Sequence, residues 1–183
     1  MSKDKYFSIL DTLTENNSKP TGPNDRVLLV DGLNTFIRAW TTSPVTNDDG
    51  VHVGGISGTL LSIGYAIKNI KPTRVILCFD GKGGSQRRRK LFPEYKASRK
   101  TSVNLNRSFM GHTDQDADKQ NMKMQLGRLV EYMGQLPVSI LAVENIEADD
   151  SIAYIAKQVL PESQCFIMSS DKDFLQLVDD RIS

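Results

Sequence analysis

Residues 26–33, RVLLVDGL, and residues 74–81, RVILCFDG, decide the fold. Each is a short apolar run, rich in β-branched residues, that stops at an aspartate followed by glycine. Residues 137–143 (PVSILAV) and 164–168 (QCFIM) have the same apolar character. Near-continuous hydrophobicity over residues 26–30, 74–79, 137–143 and 164–168 suits strands covered on both faces, as in a parallel sheet. Helical spacing lies between them. Ile56, Leu60, Ile63, Ile67 and Ile70 mark one helix face, which ends at Lys71-Pro72. Met122, Leu126, Leu129, Val130 and Met133 form a second stripe, ending near Gly134 and Pro137, and Ile152, Ile155, Ala156 and Val159 form a third, closed by Pro161. Strand alternating with helix predicts right-handed crossovers and an α/β fold of three layers, a mostly parallel central sheet with helices on both faces.

Residues 1–25 are polar, with a weak apolar pattern (Tyr6, Phe7, Ile9, Leu10, Leu13) and then an Asn/Ser/Pro/Gly run. They read as a flexible N-terminal extension ahead of one domain over residues 26–183. Residues 81–119 fit neither period and read as a long functional excursion. There are no internal repeats. A length of 183 residues suits one domain, and 39% hydrophobic and 25% charged residues with a net charge of +1 are ordinary for a globular chain. Only the distribution of charge can therefore point to a partner. Cys78 and Cys165 lie in apolar runs and read as core thiols of a reducing compartment, not as a disulfide. No stretch reaches the roughly 20 apolar residues that span a bilayer, and the first residues lack a secretory h-region and cleavage site. The expectation is a cytoplasmic protein.

The acids carry the chemistry. Asp31 ends the first strand and Asp80 the second; Glu147, Asp149 and Asp150 closely follow the third, and Asp171 and Asp173 follow the fourth. In open parallel sheets ligands bind outside the carboxyl ends of the strands, so all four strands deliver carboxylates to one rim whatever their order. Such a concentration of negative charge repels itself unless neutralised. An all-oxygen set favours Mg²⁺ or Mn²⁺ over zinc, and the two histidines, His52 and His112, make a histidine-based zinc site a poor fit. Two ions about 3.5–4 Å apart would use this many acids and would clamp both oxygens of an in-line phosphoryl displacement. Taken singly, Asp31 and Asp80 also suit ordinary strand-to-turn positions, and Asp149 and Asp150 suit the first turn of a helix. It is the coincidence at four strand ends that favours a metal centre.

Residues 81–100, GKGGSQRRRKLFPEYKASRK, leave the second acidic strand end carrying Lys82, Arg87, Arg88, Arg89, Lys90, Lys96, Arg99 and Lys100 against a single acid, Glu94. A basic stretch that also holds Phe92 and Tyr95 offers contacts for a phosphate backbone and a stacked base. A solvated charged loop is the plainer reading, and the adjacent acids favour the nucleic-acid one. Gly54-Gly55-Ile56-Ser57-Gly58 opens a helix whose free N–H groups suit a phosphate, while close helix packing accounts for the glycines equally well. Phe36 and Trp40 read as core, and neither histidine takes a role.

VDGLN, then FDG with a basic stretch ending FPEYKASR, then IEADDSIAYIA, then SSDKDFLQLV together resemble the 5′-nuclease or flap-endonuclease family. That family includes bacteriophage 5′→3′ exonucleases and the 5′-nuclease domain of bacterial DNA polymerase I. The resemblance runs over residues 26–183, rests on four motifs in order, and is nearest to the phage branch. It implies a PIN-like catalytic domain with a basic arch or clamp through which a single-stranded 5′ end passes. It also implies a first metal on Asp31, Asp80, Glu147 and Asp149, with Asp150 nearby, and a second on Asp171 and Asp173. Lys96 and Arg99 would act on the scissile phosphate and Tyr95 would stack near the substrate end, alongside nucleic-acid contacts from Arg87, Arg88, Arg89 and Lys90. Members of the family continue into a helical, duplex-gripping C-terminal region, whose expected absence after DDRIS implies a fragment, a split gene or a reduced member.

The function so implied is a Mg²⁺-dependent (or Mn²⁺-dependent) 5′→3′ exonuclease or flap endonuclease using two ions. It would hydrolyse DNA or RNA·DNA near a free 5′ end, with Asp31, Asp80, Lys96 and Arg99 as its catalytic residues. The implied setting is primer or flap removal beside replication proteins, as a monomer in the cytoplasm, the host's if the chain is phage-encoded. One alternative is a PIN-like ribonuclease, which shares the acids but lacks the YK-x-x-R excursion. Another is a nucleic-acid-binding fragment inactive without the C-terminal region. An aspartyl-nucleophile phosphohydrolase fits less well, because Asp31 is followed by Gly32-Leu33 and not by a second aspartate two residues on.

Overall fold

The computed structural model describes residues 22–94 and 115–183. In chain order the elements are β1 (Arg26–Asp31), α1 (Gly32–Thr42), α2 (Gly54–Ile70), β2 (Arg74–Asp80), α3 (Gln86–Leu91), α4 (Gln115–Met133), β3 (Ser139–Val143), α5 (Ala148–Tyr154) and β4 (Gln164–Met168). α5 runs on into a π-helical turn over Ile155–Val159, and a 3₁₀ turn spans Lys172–Leu177.

All strand pairs are parallel, in the order β3-β2-β1-β4. β1 is central, with Val30 level with Leu77 of β2 and Met168 of β4. Because successive side chains of a strand point to opposite faces, Val27 and Leu29 enter one core, while Leu28 and Val30 enter the other; all four are fully buried. The first core adds Cys78, Cys165, Ile182, Phe174 and residues of α5 and its π turn, among them Ile152 and Ala156. The second adds Phe36 and Trp40 of α1, Ile63 of α2, and Leu129 and Met133 of α4. The expected three-layer α/β architecture is what forms. Both cysteines are free and buried, and no helix among the described residues is long and apolar enough to cross a membrane.

The structure corrects the sequence reading in four places. Residues 32–42, assigned to no element, form α1. The excursion is helical at Gln86–Leu91 and again from Gln115. β3 is not covered on both faces: it is an edge strand, with Ile140 37% and Val143 40% exposed. The helix after β3 has Asp149 and Asp150 in its first turn, as their positions suggest, but changes to π geometry at Ile155. There Arg181 meets the released carbonyls, donating to Ala156 O, Leu160 O and Ser163 O, each at 2.9 Å. Residues 181–183 lie along β4, with Cys165 N–H donating to Arg181 O at 2.9 Å and Ile167 N–H to Ser183 O at 2.8 Å. The proposed N-terminal extension falls mostly outside the described residues.

Candidate active site

The parallel sheet brings the strand ends to one rim, and the chain reverses its strand order across β1, which has β2 on one side and β4 on the other. A crevice outside such a switch point is where open α/β sheets bind ligands. Asp31 stands at it as both the last residue of β1 and the N-cap of α1. Its Oδ1 accepts the Asn34 N–H at 3.1 Å and its Oδ2 accepts the Ser169 hydroxyl at 3.1 Å, the latter bond spanning β1 and the end of β4. The residue is 9% exposed. Burial raises its pKa above the ordinary 3.8, aided by repulsion from Asp80 and Asp149 and opposed by the two hydrogen bonds.

Asp80, at the end of β2, accepts the Ala148 N–H at 2.8 Å and so fastens β2 to the first residue of α5. The chain leaves β2 through Gly81, whose N–H donates to Ile146 O at 3.0 Å. A Cβ there would collide with the Val143 carbonyl. Only a glycine lets the two backbones approach so closely, and that approach sets Asp80 beside the acids that follow β3.

Those acids are tightly grouped. Glu147 occupies the N-cap position of α5 and is 2% exposed, and Asp149 and Asp150 lie in its first turn. One oxygen from each of Glu147, Asp149 and Asp150 lies within 4.8 Å of the others. Arg88 of α3 reaches into this group. Its Nη1 is 2.6 Å from Glu147 Oε2 and 2.8 Å from Asp149 Oδ2, and its Nη2 is 3.2 Å from Asp149 Oδ1 and 2.6 Å from Asp150 Oδ1.

On the β4 side, Asp171 caps the 3₁₀ turn, its Oδ1 accepting the Asp173 N–H at 3.0 Å. Its own N–H donates to Ser169 Oγ at 3.1 Å, so Ser169 links it to Asp31. Asn34 Oδ1 accepts both the N–H and the hydroxyl of Ser170, at 3.0 and 2.7 Å. Asp171 and Asp173 therefore stand on the same rim, but outside the tight group of Glu147, Asp149 and Asp150. Asn34, Ser169 and Ser170 are positioning residues that the sequence reading missed, although they lie within the VDGLN and SSDKD motifs it quoted.

The cations divide unequally. Arg88 faces the acids, while Arg89 and Lys90 are exposed on α3. Tyr95, Lys96 and Arg99 lie outside the described residues, as does most of the proposed arch. The glycines at the start of α2 serve packing: a Cβ on Gly54 or Gly55 would strike Ser43 and His52, or Phe36 and Gln125, and the Ile56 N–H donates to Gln125 Oε1 at 3.2 Å. His52 is buried in the same scaffold, against Ser43 O at 2.7 Å and Gln125, and Phe36 and Trp40 are core.

The donor set fits a hard divalent cation. Every grouped ligand is a carboxylate oxygen, and no histidine or cysteine joins the cluster among the described residues. The Arg88 guanidinium lies against all three acids as a stand-in cation. A nearly buried Glu147 requires such a countercharge, since an unpaired buried charge is costly.

The fold and the site define a parallel α/β domain with an all-oxygen acidic rim flanked by a basic helix. The chain belongs to the 5′-3′ exonuclease family: the model of the N-terminal, resolvase-like domain matches residues 26–183. A Bacillus subtilis (strain 168) 5′-3′ exonuclease is 29% identical over 165 residues, covering 87% of this chain and 50% of the relative. A Treponema pallidum (strain Nichols) DNA polymerase I is 32% identical over 146 residues, covering 79% of this chain and 13% of the polymerase. The chain thus spans about half the length of the first of these relatives. Among solved structures, a bacteriophage T5 flap endonuclease in a pseudo-enzyme–product complex with DNA and metal ions superposes with a TM-score of 0.64 at 23% identity, covering 86% of this chain and 53% of that one. The T5 5′-exonuclease with bound zinc gives 0.63 at 21% identity, covering 86% and 53%. At such identities these likenesses establish the fold.

Proposed function

We propose that this chain is the catalytic part of a Mg²⁺- or Mn²⁺-dependent 5′ nuclease that hydrolyses phosphodiesters of DNA or RNA·DNA near a free 5′ end, as exonuclease or flap endonuclease. The observation that carries the reading is the convergence of Asp31, Asp80, Glu147, Asp149 and Asp150 from three strand ends onto one rim, with Asp31 in the electrostatic field of Asp80 and Asp149. Family membership and the names of the relatives, which join 5′-3′ exonucleases with DNA polymerases I, support the same chemistry.

In this reading Asp31, Asp80, Glu147 and Asp149 hold one ion, with Asp150 beside it, and Asp171 and Asp173 a second. When bound, such ions lower the pKa of attacking water and stabilise charge on the leaving oxygen. The protein's contribution is orientation. Ser169 and the Asn34 N–H fix the Asp31 carboxylate, and the Ala148 N–H fixes Asp80, so that both carboxylates are held in orientation at the strand ends. Lys96 and Arg99 act on the reacting phosphate, while Arg87, Arg89, Lys90 and Tyr95 engage the strand beside it. Replication primer or flap removal is the setting.

The test is single-turnover cleavage of a 5′-labelled flap duplex in Mg²⁺, with Ca²⁺ to isolate binding. Asp80→Asn should abolish cleavage and keep binding, and Lys96→Ala should slow cleavage far more than it weakens binding. Cleavage by Asp80→Asn within about threefold of wild type would refute the assignment, because loss of one metal-binding carboxylate typically costs far more. Preferential cleavage of single-stranded RNA would favour a PIN-like ribonuclease instead.

A further inference from the structure

The position of Arg88 implies more than a nucleic-acid contact. We infer that Arg88 is a built-in counter-ion of the acidic rim that must leave when a divalent cation enters, so that metal loading and release of the basic helix are one exchange.

This rests on the metal-centre reading above and adds a competitor to it. The guanidinium contacts four oxygens of Glu147, Asp149 and Asp150 at 2.6–3.2 Å, including both oxygens of Asp149. A hard divalent ion needs carboxylate oxygens at roughly 2.0–2.6 Å. It would have to draw on the same three carboxylates while sitting against a positive group, with little water to screen the repulsion at Glu147. Arginine keeps its proton at any working pH, so the group can yield only by moving. The geometry allows that: the Arg88 side chain is 31% exposed, and α3 is a helix of six residues attached to β2 by a turn containing Gly83 at φ +78°. The same α3 carries Arg89 and Lys90 toward solvent, so release of Arg88 frees one continuous basic surface beside the loaded acids. Self-neutralisation also explains how an acidic rim at a buried strand end survives folding before any ion is present: the fold supplies its own cation.

The experiment uses the full chain with Mn²⁺ alone. Calorimetric or paramagnetic titration of Arg88→Gln should show Mn²⁺ binding about fivefold tighter than wild type, the upper end of what a partly exposed ion pair is worth. Arg88→Lys, which retains the competing charge, should fall back toward wild type. In wild-type protein, phenylglyoxal labelling followed by peptide mass analysis should show Arg88 reacting at least about threefold faster with Mn²⁺ than with EDTA, relative to exposed Arg128, since linkage is reciprocal. Equal or weaker Mn²⁺ binding by Arg88→Gln, or Arg88 reactivity unmoved by Mn²⁺, overturns the exchange and leaves the metal centre standing. No binding to any of the three proteins up to about 10 mM, well above weak all-oxygen sites, overturns both. Should Arg88→Gln fail to fold, the wild-type labelling decides alone.

Discussion

Replacing Asp31 with asparagine should stabilise the metal-free protein and destroy its response to metal. The ionised Asp31 side chain is a cost to the fold: burial and the fields of Asp80 and Asp149 outweigh the hydrogen bonds from Asn34 and Ser169, and the native pKa rises. Asparagine matches the volume and carries no charge to desolvate. Its single carbonyl oxygen still serves as N-cap for α1, a position where Asn and Asp are equivalent, and only one acceptor for the Ser169 hydroxyl is lost. Asp31→Asn should therefore melt above wild type in the absence of metal, by the burial and repulsion relieved less the one hydrogen bond lost.

The pH dependence follows in sign. Between 3.8 and the raised native value, the folded state holds a proton that the unfolded state has released, so wild-type stability falls as pH rises through that window. The advantage of Asp31→Asn should therefore be full near neutrality and vanish toward acid. Divalent ion works against that advantage: at ten times its dissociation constant it adds about 1.4 kcal/mol to wild type by mass action, and less to a variant lacking a ligand. Thermal melts in EDTA and in Mg²⁺, from about pH 4.5 to 7.5, measure both effects. An Asp31→Asn protein less stable than wild type in EDTA at neutral pH, or one that gains as much from Mg²⁺, would refute the reasoning.

Arg181→Ala should cost about 2–3 kcal/mol, because the carbonyls of Ala156, Leu160 and Ser163 lose a shared charged donor at the end of the π turn; urea melts showing under about 0.5 kcal/mol would deny that role. Gly81→Ala should cost about 3 kcal/mol or more and weaken Mn²⁺ binding as well, since the new Cβ must push β2 away from the Val143 carbonyl and the acids that follow it; stability loss with unchanged binding would show that this backbone approach does not place the site.

The carboxylate rim was legible because parallel pairing alone sends every strand's carboxyl end the same way. Asp31, Asp80, Glu147 and Asp171 could be assigned to one edge without knowledge of the order β3-β2-β1-β4. β1 announced itself through Val27–Val30, apolar at every position because both of its faces are covered. β3 carries a similar run yet lies at the edge, and nothing in SILAV distinguishes the two, since strand order depends on how the helices share the sheet. α1 escaped notice for a local reason. Asp31 before Gly32 suits a strand-to-turn position, whereas Asp31 ends a strand and caps a helix with the same carboxylate.

That double use also limits what the sequence could say about the basic segment. Composition marked Arg87, Arg88, Arg89 and Lys90 as one cationic run facing a polyanion. Once the run is a helix, successive residues turn by about 100°, so the run cannot address the rim as a whole. Which of the described side chains does so is set by the phase of α3 relative to Gly81, fixed by the backbone contact with Val143 and Ile146. The residue so selected, Arg88, meets acids before it could meet a phosphate. The two charge patterns were read as partners for different ligands, the acids for metal and the cations for nucleic acid. In the folded chain they are first partners for each other, and any ligand must compete with that pairing.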